Sequence, residues 1–510
     1  FRTANAAEKS AASTKPPISA ASRGHYTPVV TLNGHTLPWK MEDGVKVFHL
    51  TAEPVQREFA PGMVVNCWGY NGSTPGPTIE AVEGDRIRLL VTNKLPEHTT
   101  IHWHGIFLPN GMDGVGGLTQ PHIKPGETYV YEFTLRQHGT FMYHPHADEM
   151  VQMALGMMGL FIVHPKTPEN PRIDRDYGII LHNFEVKPGT ARPDASVMTE
   201  FNMWTFNSRV FPGIDPMVAR LGERVRIRVA NLSMHEHPIH IHGTAFEVTG
   251  TDAGWIPHSA RYKETTMLVP VGNIRVGEFI ADAPGDWAFH CHKSHHTMNA
   301  MGHGIPNMVG VRHDDIAEKI GDLVPGYMAM GQNGMAEMTD MVEMGMPLPE
   351  NTLPMMMGAG PFGPVEMGGM FTVVKIREDL VPGDYRDPGW YQHPPGTVAW
   401  RLDGSETNVS AGTSGALAAD EHDAHHSGVQ VAQASTHAGH GTVNTVDAAG
   451  GKANITHDPI KSLKWPKMTM DFSADDPALL KDLKPGMEVD FELAKKEGGY
   501  RIVKIGPAGR

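Results

Sequence analysis

The segment WAFHCHKSHH at residues 287–296, with Met301 shortly after it, combines the residue types of a redox metal site. One thiolate, several imidazoles and a distant methionine form the ligand set of a blue electron-transfer copper. The segment predicts a β-strand that runs into a loop, and side chains alternate between the two faces of a strand. Cys291 would therefore bind one metal, while His290 and His292 point to the opposite side and bind others. An electron that arrives at Cys291 would then be one residue away from the second group of metals.

Four His-x-His pairs occur in the chain, and on a strand the two members of such a pair share one face. The pairs are His102/His104, His144/His146, His240/His242 and His290/His292. Eight imidazoles suit a cluster of three coppers, two with three histidines each and one with two.

The histidine pairs belong to an internal repeat. HWHG at 102–105 is matched by HIHG at 240–243, and HPH at 144–146 is matched by HCH at 290–292, in the same order and at nearly the same spacing. The repeat predicts two homologous domains. Both are rich in short alternating runs and in Gly and Pro turns, which is typical of a Greek-key β-sandwich.

Only the second repeat keeps a complete set of blue-copper ligands. That set is His237, Cys291, His296 and axial Met301, with Met298 as an alternative axial residue. The counterparts in the first repeat are Thr99, Pro145, Met150 and Leu155. The first domain would supply four histidines to the cluster, and the second would supply four histidines and the blue site. The two domains must therefore meet around the cluster.

The composition excludes several classes of partner. A formal net charge of -14 argues against nucleic acid and anionic membrane surfaces. No run of apolar residues is long enough to predict a membrane span. The 30 His and 31 Met are metal-ligand types in unusual abundance. If Cys291 is a ligand, Cys67 has no partner for a disulfide. The polar opening of the chain is typical of a terminus left after processing, and a boundary set when the chain was cloned is the alternative.

Changes in composition divide the chain into six segments. Methionines punctuate residues 314–370, where they would either pack as a flexible apolar loop or capture Cu(I). The predicted segments are an N-terminal arm (1–45), the first sandwich (46–166), the second sandwich (167–313), a Met-rich segment with a returning apolar run (314–400), a His-containing flexible linker (401–445) and a small C-terminal barrel (446–510).

The copper motifs resemble those of multicopper oxidases of the laccase and bacterial copper-resistance kind, and the resemblance covers residues 46–313. It implies cupredoxin-like domains that bind four coppers per oxidase unit. It also implies three groups of ligands, which are type 2 (His102 and His240), type 3 (His104, His144, His146, His242, His290 and His292) and type 1 (His237, Cys291, His296 and Met301).

The family resemblance also implies a proton relay. Asp113, in the sequence NGMDG, matches an acid near the cluster that would relay protons to oxygen. A plain polar turn residue is the alternative interpretation. The position after the type 1 histidine often carries Glu in copper-oxidising relatives, whereas this chain has Thr297.

The short distance in sequence between His146 and His237 leaves no room for a third cupredoxin domain. The chain therefore resembles two-domain laccases, which are homotrimers. In them, each three-copper cluster lies between the first domain of one subunit and the second domain of its neighbour. The resemblance thus implies a homotrimer with intersubunit clusters.

The C-terminal segment has a soft-metal motif of its own. His457, Met468 and Met470 suit Cu(I) or Ag(I), and a tryptophan face at Trp465 would stabilise the ion by cation–π attraction. The segment resembles the small periplasmic copper/silver metallochaperones, which are OB-like barrels. An ordinary small barrel with a tryptophan in its core is the alternative. The resemblance implies a periplasmic or secreted protein.

Together these patterns predict an all-β enzyme that oxidises Cu(I) and/or phenolic molecules and reduces dioxygen to water, in copper tolerance. A general laccase with copper-binding appendages and a copper-sequestering carrier are the alternatives. A copper nitrite reductase is disfavoured, because its blue site lies in the first domain and here the ligand set lies in the second.

Overall fold

The computed structural model divides into two compact units, Phe1–Trp400 and Arg401–Arg510. Strands dominate both, so the predicted all-β class is confirmed. The short helices are α1 (Glu149–Ala154) and 3-10 turns at Asn110–Met112, His258–Ala260, Ser294–Thr297 and Pro477–Leu480. No helix in the described part of the chain has the length and hydropathy needed to cross a bilayer. The residues described are 26–299 (without 188 and 200), 351–400 (without 352 and 354–357) and 436–508 (without 449, 461, 464, 466, 482, 497 and 498).

The first sandwich packs two sheets around a core of large aromatic side chains. Trp103, Phe141 and Tyr143 are fully buried in that core. A short strand, β1 (Val29–Thr31), precedes this sandwich in the chain. The strands of the first sandwich are β2 (Trp39–Glu42), β3 (Val45–Ala60), β4 (Met63–Tyr70), β5 (Ile79–Val82), β6 (Arg86–Asn93), β7 (His102–His104), β8 (Thr128–Thr134), β9 (Gly139–His144) and β10 (Gly159–His164). One sheet has the order β2-β3-β6-β8, with β4 beside β3, and the other has the order β5-β10-β9-β7.

The second sandwich repeats this plan with an extended first sheet. That sheet has the order β1-β11-β14-β20-β16-β17, with β12 beside β11 and β18 beside β16, and the facing sheet has the order β13-β24-β21-β15-β19. The strands are β11 (Arg175–Phe184), β12 (Met203–Phe206), β13 (Met217–Arg220), β14 (Arg224–Asn231), β15 (His237–Ile241), β16 (Phe246–Thr251), β17 (Gly254–Trp255), β18 (Tyr262–Glu264), β19 (Thr266–Val269), β20 (Ile274–Ile280), β21 (Gly285–Cys291), the small hairpin β22 (Ala359–Gly360) and β23 (Gly363–Pro364), and β24 (Phe371–Arg377).

The second sandwich does not end at residue 313 as the sequence predicted. Its facing sheet is completed by β24, which pairs antiparallel with β21 and parallel with β13. In the first sandwich, β10 makes the same two pairings with β9 and β5. The Met-rich stretch is therefore inserted between the last two strands of the second sandwich. Its residues 314–350 lie outside the described residues.

The prediction of an N-terminal arm is also wrong for residues 26–45, the part of it that the structure describes. β1 adds to the large sheet of the second sandwich beside β11, and the backbone N–H of Val29 donates to Glu80. β2 pairs with β3 of the first sandwich. This short segment therefore joins both sandwiches, which its sequence composition does not indicate.

The C-terminal unit is a closed barrel with the strand order β25-β26-β27-β29-β28, as predicted for an OB-like barrel. The rings of Phe472 and Phe491 pack against each other in its core, inclined by 50°. β25 begins at residue 436, inside the segment predicted as a linker, because closure requires one strand long enough to pair with both β26 and β28. The strands are β25 (Thr436–Asp447), β26 (Lys452–His457), β27 (Met468–Ala474), β28 (Glu488–Lys496) and β29 (Gly499–Pro507).

The two sandwiches are joined by a shared apolar cluster and by a hydrogen bond from a buried arginine. Leu160 of the first sandwich and Ile180 of the second belong to the same buried cluster. Arg228 on β14 is fully buried, lies 2.8 Å from both Asp176 carboxylate oxygens, and donates to the Thr140 hydroxyl of the first sandwich at 2.7 Å. These contacts fix the placement of the two sandwiches within one chain.

Arg228→Met should lower the stability of the oxidase unit by about 3 kcal/mol, because it leaves the Asp176 carboxylate buried with a weakened set of partners. The matched control is Arg86→Met, because Arg86 is 62% exposed in its pair with Glu132 and should contribute under about 1 kcal/mol. Denaturant unfolding midpoints measure both effects. Equal midpoints for the two variants would contradict this role for Arg228.

Candidate metal centres

Three ligand-type side chains converge in the core of the second sandwich and form the His2Cys cluster, defined as His237, Cys291 and His296. Cys291 Sγ lies 3.6 Å from His237 Nδ1 and 3.5 Å from His296 Nδ1, and the two nitrogens are 3.1 Å apart. All three residues are buried. Atoms that bind one metal at about 2.0–2.3 Å are spaced in this way, so the residues fit a copper ion.

Neighbouring strands bring these three side chains together. His237 begins β15, and Cys291 ends the adjacent β21, with Ile239 opposite Cys291 in the register. His296 follows in the 3-10 turn. His237 Nε2 lies 2.7 Å from the Ser233 hydroxyl, which orients the ring so that Nδ1 faces the thiol.

Burial keeps the His2Cys cluster uncharged when no cation is present. Burial raises the pKa of the Cys291 thiol to about 12. Burial, with a contribution from Lys293, lowers the pKa of His237 to about 3. A neutral imidazole is ready to bind a metal, and a bound cation would stabilise the thiolate. The set of donor atoms therefore favours a cation in this otherwise apolar place.

The equivalent place in the first sandwich is closed by a hydrogen bond. The Thr99 hydroxyl donates to Gln152 Oε1 at 2.6 Å, and Gln152 is fully buried. Leu155 is buried nearby in sequence, whereas Met150 is 62% exposed. The sequence comparison of the repeats identified Thr99, Met150 and Leu155 but missed Gln152, because a buried glutamine has no distinctive motif.

The four histidines of the first sandwich form one cluster at neighbouring strands. β7 and β9 pair with His102 opposite His144, and His104 Nδ1 lies 3.3 Å from His144 Nε2. The ring of His146 lies 5.7 Å from that of His102. Asp113 contacts this cluster, since its backbone carbonyl lies 2.8 Å from His102 Nδ1 and its carboxylate 3.4 Å from the same atom.

The second sandwich contains an equivalent cluster. β15 and β21 pair with His240 opposite His290, and His242 Nε2 lies 3.1 Å from His290 Nε2. The ring of His292 lies 5.3 Å from that of His240. His240 Nδ1 bonds the Thr265 carbonyl at 2.8 Å. His242 and His292 are exposed in the single chain.

The two histidine clusters do not meet within one chain. Among the described residues, which include all eight histidines, ring contacts and hydrogen bonds join members of the same cluster only. Burial lowers the pKa of His104. Two groups of the second sandwich, Asp252 and the Gly272 backbone, act on the same imidazole and raise its pKa. Each cluster is thus half of the eight-histidine set predicted from the sequence.

One side of β21 belongs to the His2Cys cluster and the other to the histidine cluster of the second sandwich. Cys291 points into the sandwich core, whereas His290 lies on the opposite face beside Phe371. His290 Nδ1 bonds the Cys291 carbonyl at 2.8 Å. A covalent and hydrogen-bonded path therefore connects the thiol with the second-sandwich histidines.

The remaining residues predicted near the His2Cys cluster are placed as follows. Met301 lies outside the described residues. Met298 is half-buried and ends the 3-10 turn. Thr297 is buried and its hydroxyl donates to Ser294, so it offers no carboxylate.

Glu149, at the start of α1, is an acid that the sequence reasoning missed. Its carboxylate oxygens lie 3.6 Å from His144 Nδ1 and 4.0 Å from His146 Nε2. Its position three residues after His146 is the signal that could have identified it.

The barrel brings the predicted soft-metal residues together. His457 is buried, its Nδ1 bonds the Asp458 carbonyl, and its Nε2 has no hydrogen-bond partner. Met468 lies opposite His457 in the strand register, Met470 is half-buried on the same strand, and the Trp465 ring is 5.8 Å from the imidazole. An unpartnered imidazole nitrogen among thioethers fits a soft cation.

Comparison with protein-family models assigns the parts of the chain. Residues 51–168 and 187–309 match models described as multicopper oxidase, and residues 436–507 match the copper binding periplasmic protein CusF. The chain carries multicopper oxidase domains. They are joined to a CusF copper-binding domain, as the resemblance predicted.

Individual relatives match parts of the chain. Copper resistance protein A of Escherichia coli is 45% identical over 114 residues, which is 22% of this chain and 18% of the relative. A probable nitrite reductase-hydroxylamine oxidoreductase fusion protein of Kuenenia stuttgartiensis is 28% identical over 275 residues, 51% of this chain and 31% of the relative. The chain therefore spans less than a third of the length of these curated relatives.

Solved structures similar to the oxidase domains include multicopper oxidase mgLAC, at 26% identity and TM-score 0.49, covering 68% of this chain and 91% of that one. The blue copper oxidase from Nitrosomonas europaea is 25% identical, with TM-score 0.48, over 65% of this chain and 85% of that one.

Cys291→Ser should abolish the visible thiolate-to-copper absorption and turnover, because an alcohol cannot replace the thiolate at this site. The matched control is Cys67→Ser, since Cys67 is a second buried free thiol and lies outside the metal clusters. Absorption spectra of the copper-loaded variants measure the effect. A blue Cys291→Ser protein would refute the assignment of the cluster.

Proposed function

We propose that the protein is a copper-dependent oxidase that takes electrons one at a time from Cu(I) and/or phenolic molecules. Four electrons and four protons then reduce one dioxygen to two waters. The proposal rests chiefly on the His2Cys cluster, which one strand connects to a histidine cluster on its opposite face. We propose a type 1 site at this cluster, and a type 2 and type 3 assembly at the eight remaining histidines.

The side chains of the chain divide this work. Bound copper would supply reversible one-electron redox chemistry. Cys291 and His290 lie on the path between the two sites, and the buried apolar core around Cys291 excludes water from it. Asp113, at 3.4 Å from His102 Nδ1, holds that ring and is positioned to pass protons toward dioxygen.

Cu(I) is the favoured physiological donor. The Met-rich sequence is inserted between β21 and β24, and described residues before it are bonded at the His2Cys cluster to residues at its C-terminal end. Gly369 N–H donates to Asn299 Oδ1, and Met370 N–H donates to the His296 carbonyl. The similarity to copper resistance protein A and the CusF domain supports a role in copper tolerance and a periplasmic location.

The functional unit would be a homotrimer in which each three-copper cluster is shared. Each chain holds two four-histidine clusters that do not meet, and the second-sandwich cluster is exposed at His242 and His292. A neighbouring copy that places its first sandwich over this face would complete the ligand set. A head-to-tail contact of this kind forms a closed ring when its rotation closes, as a three-fold rotation does in a trimer.

Mixing His104→Ala chains with His242→Ala chains should restore activity that neither variant has alone. The His242→Ala chain keeps an intact first sandwich, and the His104→Ala chain keeps an intact second sandwich. An interface between these two intact sandwiches has all eight histidines. Random mixing of equal amounts should give about a quarter of wild-type activity per chain. The measurement is oxygen uptake after co-refolding or co-expression, with each variant alone as its control. Mixtures as inactive as the single variants would show that clusters are not shared between copies.

Nitrite reduction is the competing activity, because one relative is described as a nitrite reductase-hydroxylamine oxidoreductase fusion protein. The chain's ligand clusters favour dioxygen, since eight histidines exceed the three that a single catalytic copper requires. Supplied with Cu(I), the protein should consume dioxygen at about four Cu(I) per dioxygen without releasing peroxide. Turnover with nitrite under anaerobic conditions would support the alternative, and copper binding with no oxygen uptake would support a copper carrier.

Removing residues 436–510 should leave phenol oxidation unchanged and lower the rate of Cu(I) oxidation at low free copper, because the barrel would concentrate the donor. His457→Ala in the full chain should reproduce this loss, whereas His440→Ala is the matched control because His440 bonds Asp490 on the barrel surface. Initial rates at buffered Cu(I) concentrations measure the effect. Equal Cu(I) kinetics with and without the barrel would exclude a role in delivery.

A further inference from the structure

The outer side of the His2Cys cluster is enclosed by rings. The Trp204 indole stacks on the His296 imidazole, with centroids 4.9 Å apart and planes inclined by 19°. His295 meets the same imidazole edge-on at 4.3 Å, and the ring of His235 lies 5.6 Å away. His296 has no exposed surface as a result of its packing.

The atom of His296 that an outside molecule would need to reach is its second ring nitrogen. Nδ1 faces Cys291 and His237, so Nε2 is the remaining polar atom. Nε2 is buried and has no hydrogen-bond partner, and Nε1 of the stacked Trp204 ring is also buried without one. The contact between these rings is therefore dry.

Phenols and metal ions differ in what they need from this site. A phenol releases a proton together with its electron, so its oxidation is helped by a hydrogen bond from the phenol to an imidazole nitrogen. A Cu(I) ion loses only an electron and needs no such acceptor. An electron can cross a stacked pair of rings without direct contact between donor and imidazole.

We propose that Trp204 determines substrate class at this site by covering His296, so that phenols are denied a hydrogen bond to it while small Cu(I) donors still deliver electrons. The inference rests on the proposed oxidase function. In each step one Cu(I) would lose one electron and become Cu(II), and copper held by His237, Cys291 and His296 would take up that electron. His295, which is exposed and lies edge-on to Trp204 at 5.4 Å, is on the solvent side of the barrier.

The first test measures the access to His296 and does not depend on turnover. Diethyl pyrocarbonate acylates accessible imidazoles, and peptide fragmentation separates His295 from His296. In the wild-type chain and in Trp204→Phe, which keeps a stacked ring, His295 should be modified and His296 protected. In Trp204→Ala, His296 should also be modified. Modification of His296 in the wild type, or its protection in Trp204→Ala, would overturn the proposal.

The second test compares donors. Trp204→Ala should raise kcat/KM for 2,6-dimethoxyphenol about tenfold relative to Cu(I) supplied as its acetonitrile complex, while Trp204→Phe stays near the wild-type ratio. A fall in phenol oxidation by a blue Trp204→Ala protein would show that the indole conducts electrons and does not exclude phenols, which overturns the proposal. Trp204→Leu serves if the alanine variant does not fold.

If the copper-loaded wild-type protein shows no blue absorption, the proposed oxidase function is wrong. The result of the diethyl pyrocarbonate test of access to His296 is not affected by that outcome.

Discussion

The alternation of side chains along β21 is the constraint on which the rest of the site depends. Cys291 points into the core of the second sandwich, where β15 and the following turn supply His237 and His296. His290 points to the other face of the same strand and joins the exposed histidines. Two chemically different clusters are therefore held one residue apart by the geometry of a strand, with no special loop between them.

The packing of the two sandwiches determines how the histidine clusters can be used. Apolar residues of both domains and the hydrogen bond from Arg228 to Thr140 fix the sandwiches in one arrangement. In that arrangement, the groups of the second sandwich near His104 are Asp252 and Gly272, not the histidines at β15 and β21. Because the two sandwiches are fixed within one chain, the arrangement favours completion of each four-histidine cluster by another copy. Every isolated chain then carries exposed histidines.

Local patterns made much of the fold and the clusters predictable, because His-x-His pairs and strand alternation depend on neighbouring residues. Features formed by distant residues were not predictable. β24 completes its sheet after a long insertion, and β1 joins the second sandwich from the start of the described chain. The stacking of Trp204 on His296 likewise brings together two segments with no shared motif.

The shared copper cluster can be tested by anomalous scattering at the copper absorption edge, measured on crystals of the copper-loaded full chain. One copper should lie between His237, Cys291 and His296, and a group of three coppers should be bounded by the first-sandwich histidines of one copy and the second-sandwich histidines of another. Copper at the His2Cys cluster alone, with the two histidine clusters facing solvent in every copy, would contradict it.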